Sequence, residues 1–166
     1  HISDDVLRRM NRKTSKEKIV ALIKKIRNKI PNVILRTSLI VGFPGETVED
    51  FEELYSFVKD IQFDKLGVFK YSKEENTPAS KMPNQIHHMT KESRYRKIME
   101  EQKEISKDKL KNLIGKEMEV LIENVSFDGK YLVGRTRNDV PEEDGIVYIK
   151  RTDENERLLN QFIWCK

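Results

Sequence analysis

Apolar residues recur along this chain with two different periods, and the change falls near residue 115. Ser3 followed by Asp4 and Asp5 reads as an N-cap with acids in the first turn, and Val6, Leu7 and Met10 behind it predict a short helix. Ile19, Ile23, Ile26 and Ile30 then recur at helical spacing behind Thr14 and Glu17, a Thr-x-x-Glu capping box, until Pro31-Asn32 stops the run. Val33 to Val41 is a nearly continuous β-branched and apolar run, the pattern of a strand covered on both faces. A helix is expected from about Val48, capped by Thr47, with Phe51, Leu54, Tyr55 and Val58 on one side, and Lys65 to Tyr71 reads as a second strand. Ser72 to Gln85 is a polar, Pro-containing loop, and Thr90 caps a helix that runs to about Leu113 with Tyr95, Ile98, Gln102 and Ile105 roughly in phase.

Helix, strand, helix, strand with short connections is the order of an α/β fold with a parallel sheet. Two strands do not make a sheet that stands alone, so further strands are expected upstream. From Gly115 onward GKEMEVLIENV, GKYLVGRTR, GIVYIK and NQFIWCK are short, turn-bounded, alternating runs, which predict a small all-β barrel. The expected domains are therefore 1–114 and 115–166. Charge changes at the same place: residues 1–114 carry 24 Lys+Arg against 17 Asp+Glu, net +7, and residues 115–166 carry 8 against 11, net −3.

At 166 residues and 37% hydrophobic content the chain can bury one ordinary core, or a moderate one and a small satellite. No apolar run is long enough to span a bilayer, so no membrane partner is expected. Cys165 is the only cysteine, which excludes an internal disulfide framework and any cysteine-built metal or iron–sulfur site among these residues. It fits a cytoplasmic setting, and next to Trp164 it reads as a small buried hydrophobe. His87 and His88, adjacent in a polar loop, read as surface histidines pointing apart, and no metal ligands are expected.

Candidate chemistry concentrates where the first strand gives way to a helix, in Val41-Gly42-Phe43-Pro44-Gly45-Glu46. Ligands of parallel α/β sheets bind outside the carboxyl ends of the strands. Gly42 would let a ligand approach the backbone, Pro44-Gly45 is the natural centre of a type II turn, and Glu46 places an acid at a helix start. The wider strings LRTSLIVGFPGETVEDF and FDKLGVFKYSKEENTPA resemble the radical S-adenosylmethionine (radical SAM) methylthiotransferases. Ile40, Gly42, Gly45 and Glu46 occupy that family's Ile-x-Gly-x-x-Glu strand, with one residue more before the acid. The resemblance implies the C-terminal portion, after strand four, of a radical SAM partial (β/α)6 barrel. It implies S-adenosyl-L-methionine and two 4Fe-4S clusters as cofactors, the cluster ligands lying outside this chain. It also implies a cofactor wall of Ile40, Gly42, Phe43, Gly45 and Glu46, with Phe69 and Tyr71 beside it. Arg36, a charge in an apolar strand, either faces into the barrel toward cofactor or substrate or pairs with a helix acid. No catalytic residue is expected among these residues, so the chain by itself should be inactive.

The sequence from Gly115 is similar to a TRAM domain, a small OB-like barrel, here clipped at its C-terminus. GRTRNDVPEEDGIVYI resembles the version in the RimO-type branch, which methylthiolates an aspartate β-carbon in a small-subunit ribosomal protein. The implied partner is that protein or the ribosome, with the enzyme a monomer. A barrel of net −3 with Asp139, Glu142, Glu143 and Asp144 in one loop suits a basic protein and repels phosphates, so tRNA is the less expected partner. Two other readings remain: a tRNA methylthiotransferase of the MiaB type, and a non-enzymatic RNA-binding module using the basic helices from Arg8 to Lys29.

Overall fold

This computed structural model describes residues 1–152 and 157–166, in two compact units, His1–Lys111 and Asn112–Lys166. The first unit contains α1 (Asp4–Arg9), α2 (Lys16–Lys29), β1 (Arg36–Val41), α3 (Val48–Ile61), β2 (Lys65–Lys70) and α4 (His88–Lys111). A single 3-10 turn, Ala79–Lys81, interrupts the loop before α4. β1 and β2 pair in parallel, with Leu39 opposite Val68 and Ile40 opposite Phe69, as the alternation of elements requires.

The helix starts follow local chemistry, and two of them differ from expectation. Thr47 caps α3 in a complete capping box with Asp50. At α2 the cap is Ser15 rather than Thr14, because the Asp4 carboxylate of α1 accepts the Lys16 amide at 2.7 Å and fixes the first turn there. At α4 the helix begins two residues before Thr90. The His87 ring Nδ1 accepts the Met89 amide at 3.3 Å and its carbonyl accepts the amides of Thr90 and Lys91. His87 and His88 are exposed as expected, but their rings lie 4.3 Å apart because they straddle a loop–helix junction instead of following one another on a regular element.

Ile2, Ile23, Leu39, Val41, Phe51, Leu54, Val58, Phe63, Val68, Ile98 and Ile105 form one core. Its helices cover one face of the two strands. β1 begins at Arg36 and alternates, with Leu39 and Val41 buried and Arg36 and Ile40 exposed. The expectation of a strand covered on both faces therefore holds on one face only. Ile40 is 36% exposed and its register partner Phe69 60% exposed, so an apolar pair looks outward from the uncovered face.

In the second unit β3 (Met118–Val125), β4 (Tyr131–Thr136), β5 (Val147–Lys150) and β6 (Phe162–Cys165) form an antiparallel sheet in the order β5-β4-β3-β6. Val120, Ile122 and Leu132 are its buried centre, packed by Val125, Val147, Ile149, Leu158, Ile163 and Cys165. A register shift between Ile122 and Asn124 curls the sheet in the manner of a small β-barrel. Gly134 permits that curl, since any Cβ there would run into the Leu121 carbonyl. Cys165 is half-buried, and burial pushes its thiol pKa up, which suits packing rather than reactivity.

Candidate functional site

The turn between β1 and α3 lies at the carboxyl end of the parallel strands and is closed on itself. Gly45 has φ +78° and the Glu46 amide donates to the Phe43 carbonyl at 2.9 Å, the expected tight turn around Pro44-Gly45. Glu46 does not stay at the helix start. Its carboxylate folds back, is 2% exposed, and accepts the amides of Gly42 at 2.8 Å and Phe43 at 3.3 Å. Arg94 of α4 completes the clamp. Its Nη1 meets Glu46 Oε1 at 2.6 Å and the Glu46 carbonyl at 3.2 Å, and its Nη2 meets the Thr47 carbonyl at 3.1 Å.

Other elements reach the same turn. Arg9 of α1 donates to the Gly45 carbonyl at 3.0 Å, and the Gly45 amide donates to the Asn84 carbonyl at 2.9 Å. The His1 side chain is wholly enclosed. Its Nδ1 accepts the Ser3 amide at 3.1 Å, which leaves the proton on Nε2, 3.5 Å from Glu46 Oε2. Gly42 is at φ +72°, and Lys91 of α4 lays its methylenes where a Cβ would be. The space at Gly42 is thus filled by Lys91, not left open for a ligand as its lack of a side chain suggested. Every amide from Gly42 to Glu46 that can donate, Pro44 having none, already has an acceptor inside the unit.

What remains available is the strand face and the aromatic edge of the turn. Phe43 packs edge-on to Tyr71 with centroids 5.2 Å apart, and the buried Tyr71 hydroxyl has no hydrogen-bond partner among the described residues. Lys91 Nζ donates to the Tyr71 carbonyl at 2.8 Å and lies 4.8 Å from the Tyr71 ring, and burial pushes its pKa down. Ile40 and Phe69 stand beside one another on the uncovered face. Arg36 shares that face but sits at the first position of β1, about 13 Å from Ile40 at strand rise. Sequence reading missed Arg94, Lys91 and His1. For Arg94 a signal existed: Arg94, Ile98, Gln102 and Ile105 form the buried stripe of α4, so a cation stood in phase with a core.

Asp50 ties the first residues of α1 to this assembly, accepting from Ser3 Oγ at 2.5 Å and from the Thr47 amide at 2.9 Å. Burial pushes its pKa up, but hydrogen bonds from Ser3 and Thr47 and the Arg9 charge outweigh it, and the net shift is downward. A carboxyl with a depressed folded pKa contributes stability above its unfolded value and loses it as pH falls through the folded one. Urea stability should therefore drop as pH falls below about 4, and Asp50→Asn should flatten that part of the pH profile. An unchanged profile would remove Asp50 from the account.

In the second unit the acidic loop divides into two kinds of carboxylate. Asp139 Oδ2 accepts Thr136 Oγ1 at 2.6 Å and the Thr136 amide at 3.2 Å, and Asp144 Oδ2 accepts the Val140 amide at 2.8 Å. These two shape the loop. Glu142 and Glu143 are exposed, Glu142 at φ +66°.

A parallel β-α-β segment whose first strand leads into its helix through a clamped Gly-Phe-Pro-Gly-Glu turn, followed by a small curled antiparallel sheet, defines the class. Residues 1–58 match the Radical SAM superfamily and residues 114–166 match the TRAM domain. The chain belongs to the radical SAM methylthiotransferase family. It is 56% identical over 166 residues to ribosomal protein uS12 methylthiotransferase RimO of Alkaliphilus oremlandii, covering 100% of this chain and 38% of that protein. It is 52% identical over 150 residues to the protein of the same name from Clostridium perfringens, covering 90% of this chain and 33% of the relative. Against that of Geobacter sulfurreducens it is 47% identical over 156 residues, with shares of 93% and 35%. The chain thus spans roughly a third of the length of the curated relatives it matches. Among the described residues no helix is long and apolar enough to cross a membrane.

Proposed function

We propose that this chain forms part of an enzyme that adds a methylthio group to the β-carbon of an aspartate in ribosomal protein uS12. The observation that carries the reading is the 56% identity to a uS12 methylthiotransferase along all 166 residues. Residues 1–114 serve as the rear of the partial barrel and residues 115–166 as the TRAM domain. The exposed Ile40–Phe69 pair offers the apolar surface that an adenine ring needs, and it lies on the face the helices leave open. That fits S-adenosylmethionine. Gly42, Phe43, Gly45 and Glu46 act as the frame that orients this surface, since their amides are consumed inside the turn, and the Tyr71 ring packs edge-on to Phe43 beside it. Arg36 lies on the same face at the amino end of β1, about 13 Å from Ile40 at strand rise and away from the carboxyl-end turn. S-adenosylmethionine and the family's iron–sulfur clusters supply the radical chemistry when bound. With Cys165 as its single cysteine, this chain does not bring a three-cysteine cluster loop, and alone it should cleave no S-adenosylmethionine.

The test is the full-length enzyme incubated with purified uS12 and, separately, with bulk tRNA. A mass gain of one methylthio group on uS12 and none on tRNA supports the reading, and the reverse result replaces it with the tRNA-modifying one. The net charge of −3 from residue 115 onward favours the protein substrate, because counterion release drives RNA binding only for basic surfaces. Changing Glu142 and Glu143 to Gln should weaken uS12 binding several-fold at low salt and less at high salt, as surface charges are screened over about 10 Å at 0.1 M. Asp139 and Asp144 must be left in place, since they hold the loop. A titration in which the double variant binds uS12 like the wild type would take the loop out of substrate recognition.

A further inference from the structure

We infer that α2 is an RNA-docking helix, which holds the enzyme to ribosomal RNA beside its protein substrate. From Arg12 to Lys29 the chain carries eight cations, Arg12, Lys13, Lys16, Lys18, Lys24, Lys25, Arg27 and Lys29, against one acid, Glu17. Lys16 pairs with Glu53 at 2.6 Å and Arg27 donates to the Gln62 carbonyl at 3.2 Å. Arg12, Lys13, Lys18, Lys24, Lys25 and Lys29 are exposed and make no ion pair among the described residues. The other long helix is different. On α4, Arg96, Lys97, Lys107, Lys109 and Lys111 are each paired with a carboxylate.

A solvated face could carry the same residues, but the spacing here is ordered. Lys18, Lys25 and Lys29 fall on one stripe of α2 with Leu22, which is 57% exposed, while Ile19, Val20 and Ile23 pack on the core. The stripe extends about 16 Å along the helix, enough to meet successive phosphates of one strand. A basic ribosomal protein would be repelled by it, whereas RNA would be attracted. The inference rests on the uS12 reading for the source of that RNA, since a ribosomal protein in place is surrounded by it.

The experiment titrates full-length enzyme against isolated small ribosomal subunits and against a duplex RNA oligonucleotide over a salt series. It compares wild type, a Lys18→Gln, Lys25→Gln, Lys29→Gln triple variant and a Lys107→Gln, Lys111→Gln control. The triple variant should bind both probes at least about tenfold more weakly at 0.1 M salt, and its slope of log affinity against log salt should shrink by about 2 to 3. The control should match wild type, and all three should modify free uS12 equally. Unchanged RNA affinity in the triple variant overturns the inference, as does an equal loss in the control. A matching loss on free uS12 also overturns it, because the helix would then serve fold or protein substrate. Failure of wild type to modify uS12 would instead overturn the functional reading, while the RNA titration keeps its own answer.

Discussion

Glu46→Ala should destabilise the first unit by about 3–5 kcal/mol, because it leaves the Arg94 guanidinium buried beside no carboxylate. The loss is compounded at the turn, where the Gly42 and Phe43 amides would have no acceptor. Glu46→Gln is the informative companion. It keeps an oxygen for the two amides but removes the charge, and Arg94 retains only the carbonyls of Glu46 and Thr47. Arg94→Met alone strands the carboxylate instead. Combining Glu46→Gln with Arg94→Met removes both charges together, so the double variant should be more stable than the sum of the single losses predicts. Urea unfolding of the four proteins measures the coupling. Strictly additive losses would mean that the 2.6 Å pair contributes nothing specific and that the turn is held by its other contacts.

Gly42→Val should cost roughly 2–5 kcal/mol, from a β-branched residue forced to positive φ and a Cβ driven into Lys91. Pairing it with Lys91→Ala separates the two causes. The space opens, and about 1–3 kcal/mol should return, while the dihedral strain stays. S-adenosylmethionine binding by the full-length double variant then reports on the ligand alone. Return of that share of the stability without recovery of binding would place Gly42 against the cofactor after all. Recovery of both would make the glycine a packing requirement of α4.

The parallel pair, the Thr47 cap and the β-pattern of the second unit were legible because each is written in short range: period, cap and turn residues within a few positions. Gly45 was legible for the same reason, a Pro-Gly pair fixing a tight turn. The role of Glu46 was not. Its partner Arg94 lies 48 residues away, and a carboxylate after a turn looks like helix-start chemistry until a cation arrives from another element. Gly42 was half legible: the need for a glycine was visible, and the identity of what fills its place was not, since Lys91 enters from a helix whose start was itself misplaced by three residues. The start of α2 slipped by one residue because a side chain of the preceding helix, Asp4, supplied the deciding acceptor. Similarly, the uncovered strand face follows from which helices flank the pair, which no apolar run can announce.

The six residues of α1 are far fewer than the 12–15 at which an isolated helix becomes marginal in water. It persists because Ser3 holds Asp50, Asp4 caps α2 and Arg9 grips Gly45. Such a segment cannot open independently, because each of these ties belongs to another element. Its amide hydrogens should exchange with deuterium only when the turn and the first coils of α2 and α3 open together, at one shared free energy. The protection of Leu7 and Met10, whose amides donate within α1, therefore becomes a gauge of whether the glycine-rich turn is shut.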